Sequence, residues 1–170
     1  QGVSSRAATG CAHRRRGVWH REFGGDTGLF FDLASVTKPL TAVAVAAIGP
    51  LRTQPLSVSL SEARGTASEH TPIELLLAHR AGLEANLPLY LPAASGAELD
   101  RSLALESAAN ARRVECVGAV PPLGFVPVYS DLGYVLVGAA LARHVGEVDS
   151  GAVVDALLVP RLECQSILGT

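Results

Sequence analysis

A serine stands three residues before the only lysine of this 170-residue chain, in the run Phe31-Asp32-Leu33-Ala34-Ser35-Val36-Thr37-Lys38-Pro39-Leu40. Residues three apart share a helix face, so on a helix Ser35 and Lys38 lie side by side. Pro39 is tolerated only near a helix start, where a missing backbone donor costs little, and it puts the pair in the first turn. There the unpaired amides and the positive end of the helix dipole disfavour an ammonium and favour an oxyanion. A lysine of lowered pKa next to a serine hydroxyl is a nucleophile with its base.

The other basic residues support this reading, because 13 of the 14 are arginine. Arginine keeps its proton at any ordinary pH, whereas a desolvated lysine can release it, so a position that needs a neutral amine excludes arginine. A plainer role stands beside the chemical one, since serine is a preferred N-cap ahead of an apolar helix. With 13 serines in 170 residues, one falls three before the sole lysine in about 8% of arrangements. The pair alone is only moderately specific, and the elements around it decide.

The stretch from Gly17 to Phe23 reads as a strand, Gly24-Gly25-Asp26 as a turn, and Leu29-Phe30-Phe31-Asp32-Leu33 as a second strand. From Ser35 onward, Leu40, Ala42, Val43, Val45, Ala46, Ala47 and Ile48 make a helix that is apolar nearly all round, hence buried, and Gly49-Pro50 closes it. Thr71-Pro72-Ile73-Glu74 has capping-box spacing with proline at the first helical position; the helix continues through His79 to Gly82 as its C′ residue. Another helix is predicted over 97–113. Pro121, Pro122 and Pro127 force 117–128 into an extended loop that delivers Tyr129-Ser130-Asp131. Leu132, Val135, Leu136, Ala139 and Ala140 then repeat at amphipathic helical spacing up to Gly146, with Asp131 placed to cap that helix. A last helix covers 152–158. The sum is an α+β chain, strands over about 17–33 and a helical lobe over about 34–160, in one domain spanning 1–170. Its 48% hydrophobic content suffices for a core.

These segments resemble the serine β-lactamase-related hydrolases, the family of class C β-lactamases, D-alanyl-D-alanine carboxypeptidases and related esterases. Leu-Ala-Ser-Val-Thr-Lys-Pro-Leu-Thr-Ala, beginning at Leu33, is similar to the family's nucleophile helix. Ile73-Glu74-Leu75-Leu76 with His79-Arg80-Ala81-Gly82-Leu83 is similar to the helix and turn that follow, and Tyr129-Ser130-Asp131 to the second catalytic motif, Tyr-x-Asn. The resemblance implies a β-lactamase/penicillin-binding-protein-like fold and an acyl-enzyme mechanism on a β-lactam, a D-Ala peptide or an ester. In it Ser35 attacks the carbonyl, Lys38 and Tyr129 share the proton transfers, and the Ser35 amide supplies half of an oxyanion hole. The chain departs from the family twice. Asp131 replaces the asparagine, an amide donor, by a carboxylate that only accepts; either a substrate contact or a helix cap accounts for it. The third motif, Lys-Thr-Gly or His-x-Gly on a C-terminal strand, has no counterpart before Thr170. The expected fold is therefore N-terminal strands plus helical lobe, with the C-terminal strands of the sheet missing and open edges on the two strands present.

Two function classes follow: a serine hydrolase taking a small-molecule or peptide acyl substrate, and a truncated non-catalytic relative that binds a partner or has no activity alone. A net charge of −2 argues against a nucleic-acid surface. The basic run His13-Arg14-Arg15-Arg16 reads as an exposed strand or turn. The apolar stretch from Pro39 to Leu51 is shorter than the ~20 residues of a spanning helix. The five histidines lack ligand spacing, and Cys11, Cys116 and Cys164 lack a pairing motif, so free thiols and no metal or cofactor are expected. No charged segment followed by an apolar one opens the chain; the compartment is left open, and the natural start is expected upstream of Gln1.

Overall fold

The structure, a computed structural model, describes residues 5–162, with side chains up to residue 160. Two compact units divide the chain, residues 1–34 and residues 35–170.

The first unit holds an antiparallel hairpin of β1 (Ala8–Arg15) and β2 (Val18–Gly25), with Ala8 opposite Gly25 and Arg15 opposite Val18. Arg16 and Gly17 connect them, at φ of 50° and 86°, and two residues of positive φ match the twist of a tight hairpin. β2 falls on the first expected strand, Gly17 to Phe23, but its partner β1 lies N-terminal to it instead of following it. Gly24-Gly25 ends β2 instead of joining two strands, and 29–33 carries no strand. Asp32 folds the backbone locally there, its carboxylate accepting the Ala34 amide at 2.8 Å, which competes with a ladder. The basic run sits in strand and turn and is exposed.

The second unit is helical: α1 (Thr37–Ile48), α2 (Leu56–Ser59), α3 (Ile73–Leu77), α4 (Leu91–Ala94), α5 (Arg101–Asn110), α6 (Asp131–Val145) and α7 (Ser150–Leu162). Its centre is α6, in which Leu132, Gly133 and 136–142 are all buried. Around it pack Ala44 and Val45 of α1, Ile73 and Leu76 of α3, Leu105 and Ala108 of α5, and Val153 and Leu158 of α7. Each fully buried Val, Leu or Ile contributes ~1.5–3 kcal/mol over an exposed one, so this apolar seam holds the lobe together. Gly133 permits the close approach of α6 to α3, since a Cβ there would lie 3.1 Å from the Leu76 carbonyl oxygen. At the far end Gly146 takes φ 82°, and the amides of Gly146 and Glu147 return to the carbonyls of Arg143 and Ala142, the glycine termination expected there.

Both ends of α3 differ from expectation. Thr71 does not cap it: its hydroxyl is buried without a hydrogen-bond partner, because the Leu56 amide bonds its carbonyl at 2.9 Å and the Gln54 carbonyl takes the Ile73 amide. Glu74 pairs with Arg52 at 3.5 Å instead of folding back. The helix closes at His79 rather than Gly82. His79 takes a left-handed φ of 59°, and the amides of His79 and Arg80 return to Leu76 and Leu75 at 3.1 and 2.7 Å. This is the same termination as at Gly146, made by a histidine, one of the few side chains that tolerate it. Cys11 and Cys116 are free thiols, and Cys164 lies outside the described residues. No described helix is long and apolar enough to cross a membrane.

Candidate active site

Ser35 occupies a 3-10 turn, Ala34–Val36, that runs directly into α1, and Lys38 is the second residue of that helix. Ala34, immediately before the serine, has φ 44°. A non-glycine residue in that region stores strain of order 1–3 kcal/mol, a feature concentrated at functional turns. Tyr129 arrives at the end of the proline-rich loop, just ahead of α6. Ser130 is the N-cap of α6: its Oγ accepts the Gly133 amide at 3.3 Å and donates to the Glu84 carbonyl at 2.6 Å. The expectation that Asp131 caps α6 is thereby corrected. Asp131 is the first residue inside the helix, its amide bound to the Ala85 carbonyl at 2.8 Å, and its side chain turns to Lys38.

The four residues singled out in the sequence converge. Ser35 Oγ lies 2.8 Å from Tyr129 Oη and accepts a hydrogen bond from Lys38 Nζ at 3.3 Å. Lys38 Nζ lies 2.7 Å from Asp131 Oδ1. The same amine sits over the rings of Tyr129 and Tyr134, 4.9 and 5.6 Å from their centroids, within the range of cation–π attraction. The lysine side chain is 14% exposed and that of Asp131 56%, so water reaches the pair from the carboxylate side. Solvent screening makes this contact a weak contributor to stability; its weight falls on the charge of the amine.

Burial pushes the Lys38 amine down, but the hydrogen bond and charge of Asp131, with Tyr129, outweigh it and leave the pKa raised above the ordinary lysine value. The expectation of a depressed lysine is corrected: the helix N-terminus disfavours an ammonium, and a carboxylate at 2.7 Å favours it more. Tyr129 moves the opposite way, its phenol lowered by hydrogen bonds from Lys38 and Ser35. Of the two groups flanking the serine, the phenol is the one shifted toward losing its proton.

Beneath this cluster lies a residue whose part the sequence reading did not anticipate. Besides closing α3, His79 packs its ring against Tyr129, centroids 4.6 Å apart, and Tyr134, 5.3 Å apart. Its Nδ1 accepts the Ser130 amide at 3.1 Å. Burial and the positive charge of Lys38 hold its pKa below the ordinary histidine value, which suits a ring that must keep Nδ1 unprotonated. Its carbonyl takes the Val128 amide at 3.1 Å, and that of Arg80 the Phe125 amide at 2.9 Å. Tyr134, its phenol raised by burial, donates to the Leu77 carbonyl at 3.1 Å. A contact across fifty positions leaves no local spacing signal; the only hint was the proximity of a histidine to a helix end. Among the described residues no group of three or more His, Cys, Asp or Glu side chains is placed to hold a metal ion.

The β-lactamase family model matches residues 4–154. Solved structures with a similar fold include a mutant class C β-lactamase, with TM-score 0.59 and 16% identity over 94% of this chain and 44% of that one. A Bacteroides dorei DSM 17855 protein assigned to the β-lactamases gives 0.61 and 16%, over 95% and 48%. Another class C β-lactamase gives 0.58 and 18%, over 92% and 43%. At these identities the likeness is one of fold, and the chain spans less than half the length of each of these proteins. No curated protein sequence matches. A family match running through the hairpin, the Ser35 turn and the Tyr129 segment, on an α+β arrangement shared with class C enzymes, places this chain in the β-lactamase family.

Proposed function

We propose that Ser35, Lys38 and Tyr129 form the acylation centre of a serine hydrolase acting on a β-lactam, a D-Ala peptide or an ester. One observation carries the reading: Ser35 Oγ is held between two proton-carrying groups, Tyr129 Oη at 2.8 Å and Lys38 Nζ at 3.3 Å. A nucleophile within hydrogen-bond reach of its base is what acylation requires. The serine oxygen bonds to the substrate carbonyl carbon while its proton passes to the flanking pair. The oxyanion so formed meets the Ser35 amide in the turn that leads into α1. Its collapse breaks the bond to the leaving group, which takes the same proton, and water later hydrolyses the acyl-serine ester.

The test is incubation with a fluorophosphonate and with a penicillin probe, followed by mass spectrometry of the adduct. An adduct that maps to Ser35 and disappears in Ser35→Ala is the expected result; labelling that survives the substitution would sink the reading. A second reading, a relative that binds acyl compounds without turning them over, is favoured by the carboxylate on Lys38. It predicts reversible binding with no covalent adduct at Ser35.

A further inference from the structure

We propose that Asp131 is a positioning residue that locks Lys38 as an ammonium and so leaves Tyr129 as the sole proton acceptor for Ser35. The inference rests on the acyl-serine reading and goes beyond it by giving Asp131, which that reading leaves out, a part in setting the charge of Lys38.

The first argument is the ion pair. Lys38 Nζ lies 2.7 Å from Asp131 Oδ1, and a carboxylate, which can only accept, favours the charged form of the amine with its three donors. The second argument is direction. An ammonium has no lone pair, so Ser35 Oγ can only accept from it at 3.3 Å, and the serine proton is left to the nearer partner, Tyr129 Oη at 2.8 Å. The route out of the serine leads to the phenol, away from the amine.

Among the described residues, five side chains are placed against Lys38. Asp131 and Tyr134 come from α6, Tyr129 from the loop before it, His79 from the end of α3 and Ser35 from the turn before α1. Asp131 is the one carboxylate among them, so the lock is a single group. An asparagine at that position could accept a hydrogen bond but would bring no charge. In the resulting step Tyr129, 53% exposed, first releases its proton to water. Its phenolate then takes the proton from Ser35 Oγ as the bond from Oγ to the carbonyl carbon forms, and returns it to the leaving group as the tetrahedral species collapses. Lys38 keeps all three protons throughout and acts by holding negative charge on the phenolate.

The sole lysine makes this directly measurable. Lysine isotope-enriched at Cε gives one side-chain resonance, that of Lys38, and its shift reports the charge of the amine. The full chain, Asp131→Asn and Asp131→Glu are titrated by NMR, with tyrosinate absorbance in parallel and Tyr129→Phe assigning the Tyr129 step. In the unsubstituted chain Tyr129 should ionise before Lys38. In Asp131→Asn the Lys38 midpoint should fall by about one pH unit or more, and in Asp131→Glu it should stay high. A Lys38 midpoint unmoved in Asp131→Asn, or a lysine that ionises before Tyr129 in the unsubstituted chain, overturns the proposal. Should Asp131→Asn not fold, the order of the two midpoints in the unsubstituted chain decides alone. Failure of the acyl-serine reading looks different: no fluorophosphonate adduct at Ser35, with the Lys38 titration as expected.

Discussion

The ring of His79 lies against that of Tyr129 at 4.6 Å, while its Nδ1 accepts the amide proton of the neighbouring Ser130 at 3.1 Å. One side chain thus fixes both the ring and the backbone of the segment that carries the phenol to Ser35. It does so from a left-handed position that a glycine would hold at no steric cost. Two variants separate the roles. His79→Gly relieves the backbone and removes the ring, so it should hold the turn while slowing Ser35 labelling by about 10–100-fold through misplacement of Tyr129. His79→Ala should lose on both counts. Labelling of His79→Gly at the unsubstituted rate would reduce the histidine to a helix terminator.

Lys38 offers a contrast between charge and proton release. If the amine served by giving up its proton, arginine could not replace it at all. If it serves as a fixed positive charge beside Asp131 and Tyr129, Lys38→Arg should keep measurable Ser35 labelling and Lys38→Met should keep far less. Tyr129→Phe, which removes the proposed acceptor, should slow labelling by about 10²–10⁴-fold. Equal loss in Lys38→Arg and Lys38→Met would argue that the amine, rather than its charge, is needed.

The legible parts of the fold were those written in local spacing. Ser35 and Lys38 are neighbours because a separation of three is a local property, and α1 and α6 follow from their apolar residues. Leu132, Leu136, Ala139 and Ala140 of α6 are indeed buried, but the expectation that α1 is buried nearly all round is corrected: of its apolar residues only Ala44 and Val45 are buried, and Val43, Ala46 and Ala47 are exposed. Tyr129 meets Ser35 across 94 positions; no spacing rule reaches that far, and only the ordered motifs of the family joined them. The Lys38–Asp131 pair stayed hidden for a related reason: a carboxylate at a helix start has a sufficient local explanation as a cap, and the neighbouring Ser130 took that place. β2 falls on the strand expected over Gly17 to Phe23, whereas β1 escaped because its run from Ala8 to Arg15, exposed throughout, carries no alternation of apolar and polar residues. The apolar run 29–33 imitated a strand that the Asp32 turn forbids.

Gly82 lies where the chain beyond α3 passes close to the loop that ends in Tyr129. Its φ is 77°, and a Cβ would lie 2.6 Å from the Phe125 ring and 2.9 Å from Cys116 Cβ. Gly65 has a similar φ of 75° with nothing within 4 Å of a Cβ, so it isolates the conformational cost. Gly65→Ala should destabilise by about 1 kcal/mol, and Gly82→Ala by ~2–4 kcal/mol in total, because overpacking adds to strain. Denaturant unfolding of the two variants compares them directly. Equal losses would show that the 79–82 turn and the Phe125 loop can part without cost.

Glu62 supplies the clearest pH dependence. It lies in a 3-10 turn, Ser61–Ala63, and its carboxylate receives both terminal guanidinium nitrogens of Arg143 from the last turn of α6, with Ser61 and Ser102 hydroxyls at 3.0 and 3.3 Å. The Arg143 hydrogen bonds, working against burial, hold its pKa at about 2, below the ordinary 4.5. A carboxylate depressed on folding adds stability that is full above its unfolded value and is lost as pH falls through the folded one. The lobe should therefore lose stability between pH 4.5 and about 2. Glu62→Gln should unfold more easily at neutral pH by ~1–2 kcal/mol, since Arg143 is exposed enough for water to replace part of the contact. Its stability should also fall less steeply across that acid window. Denaturant midpoints of both proteins across the window check this. Parallel curves would mean that the pair leaves α6 and the Glu62 turn as firmly joined without its charge as with it.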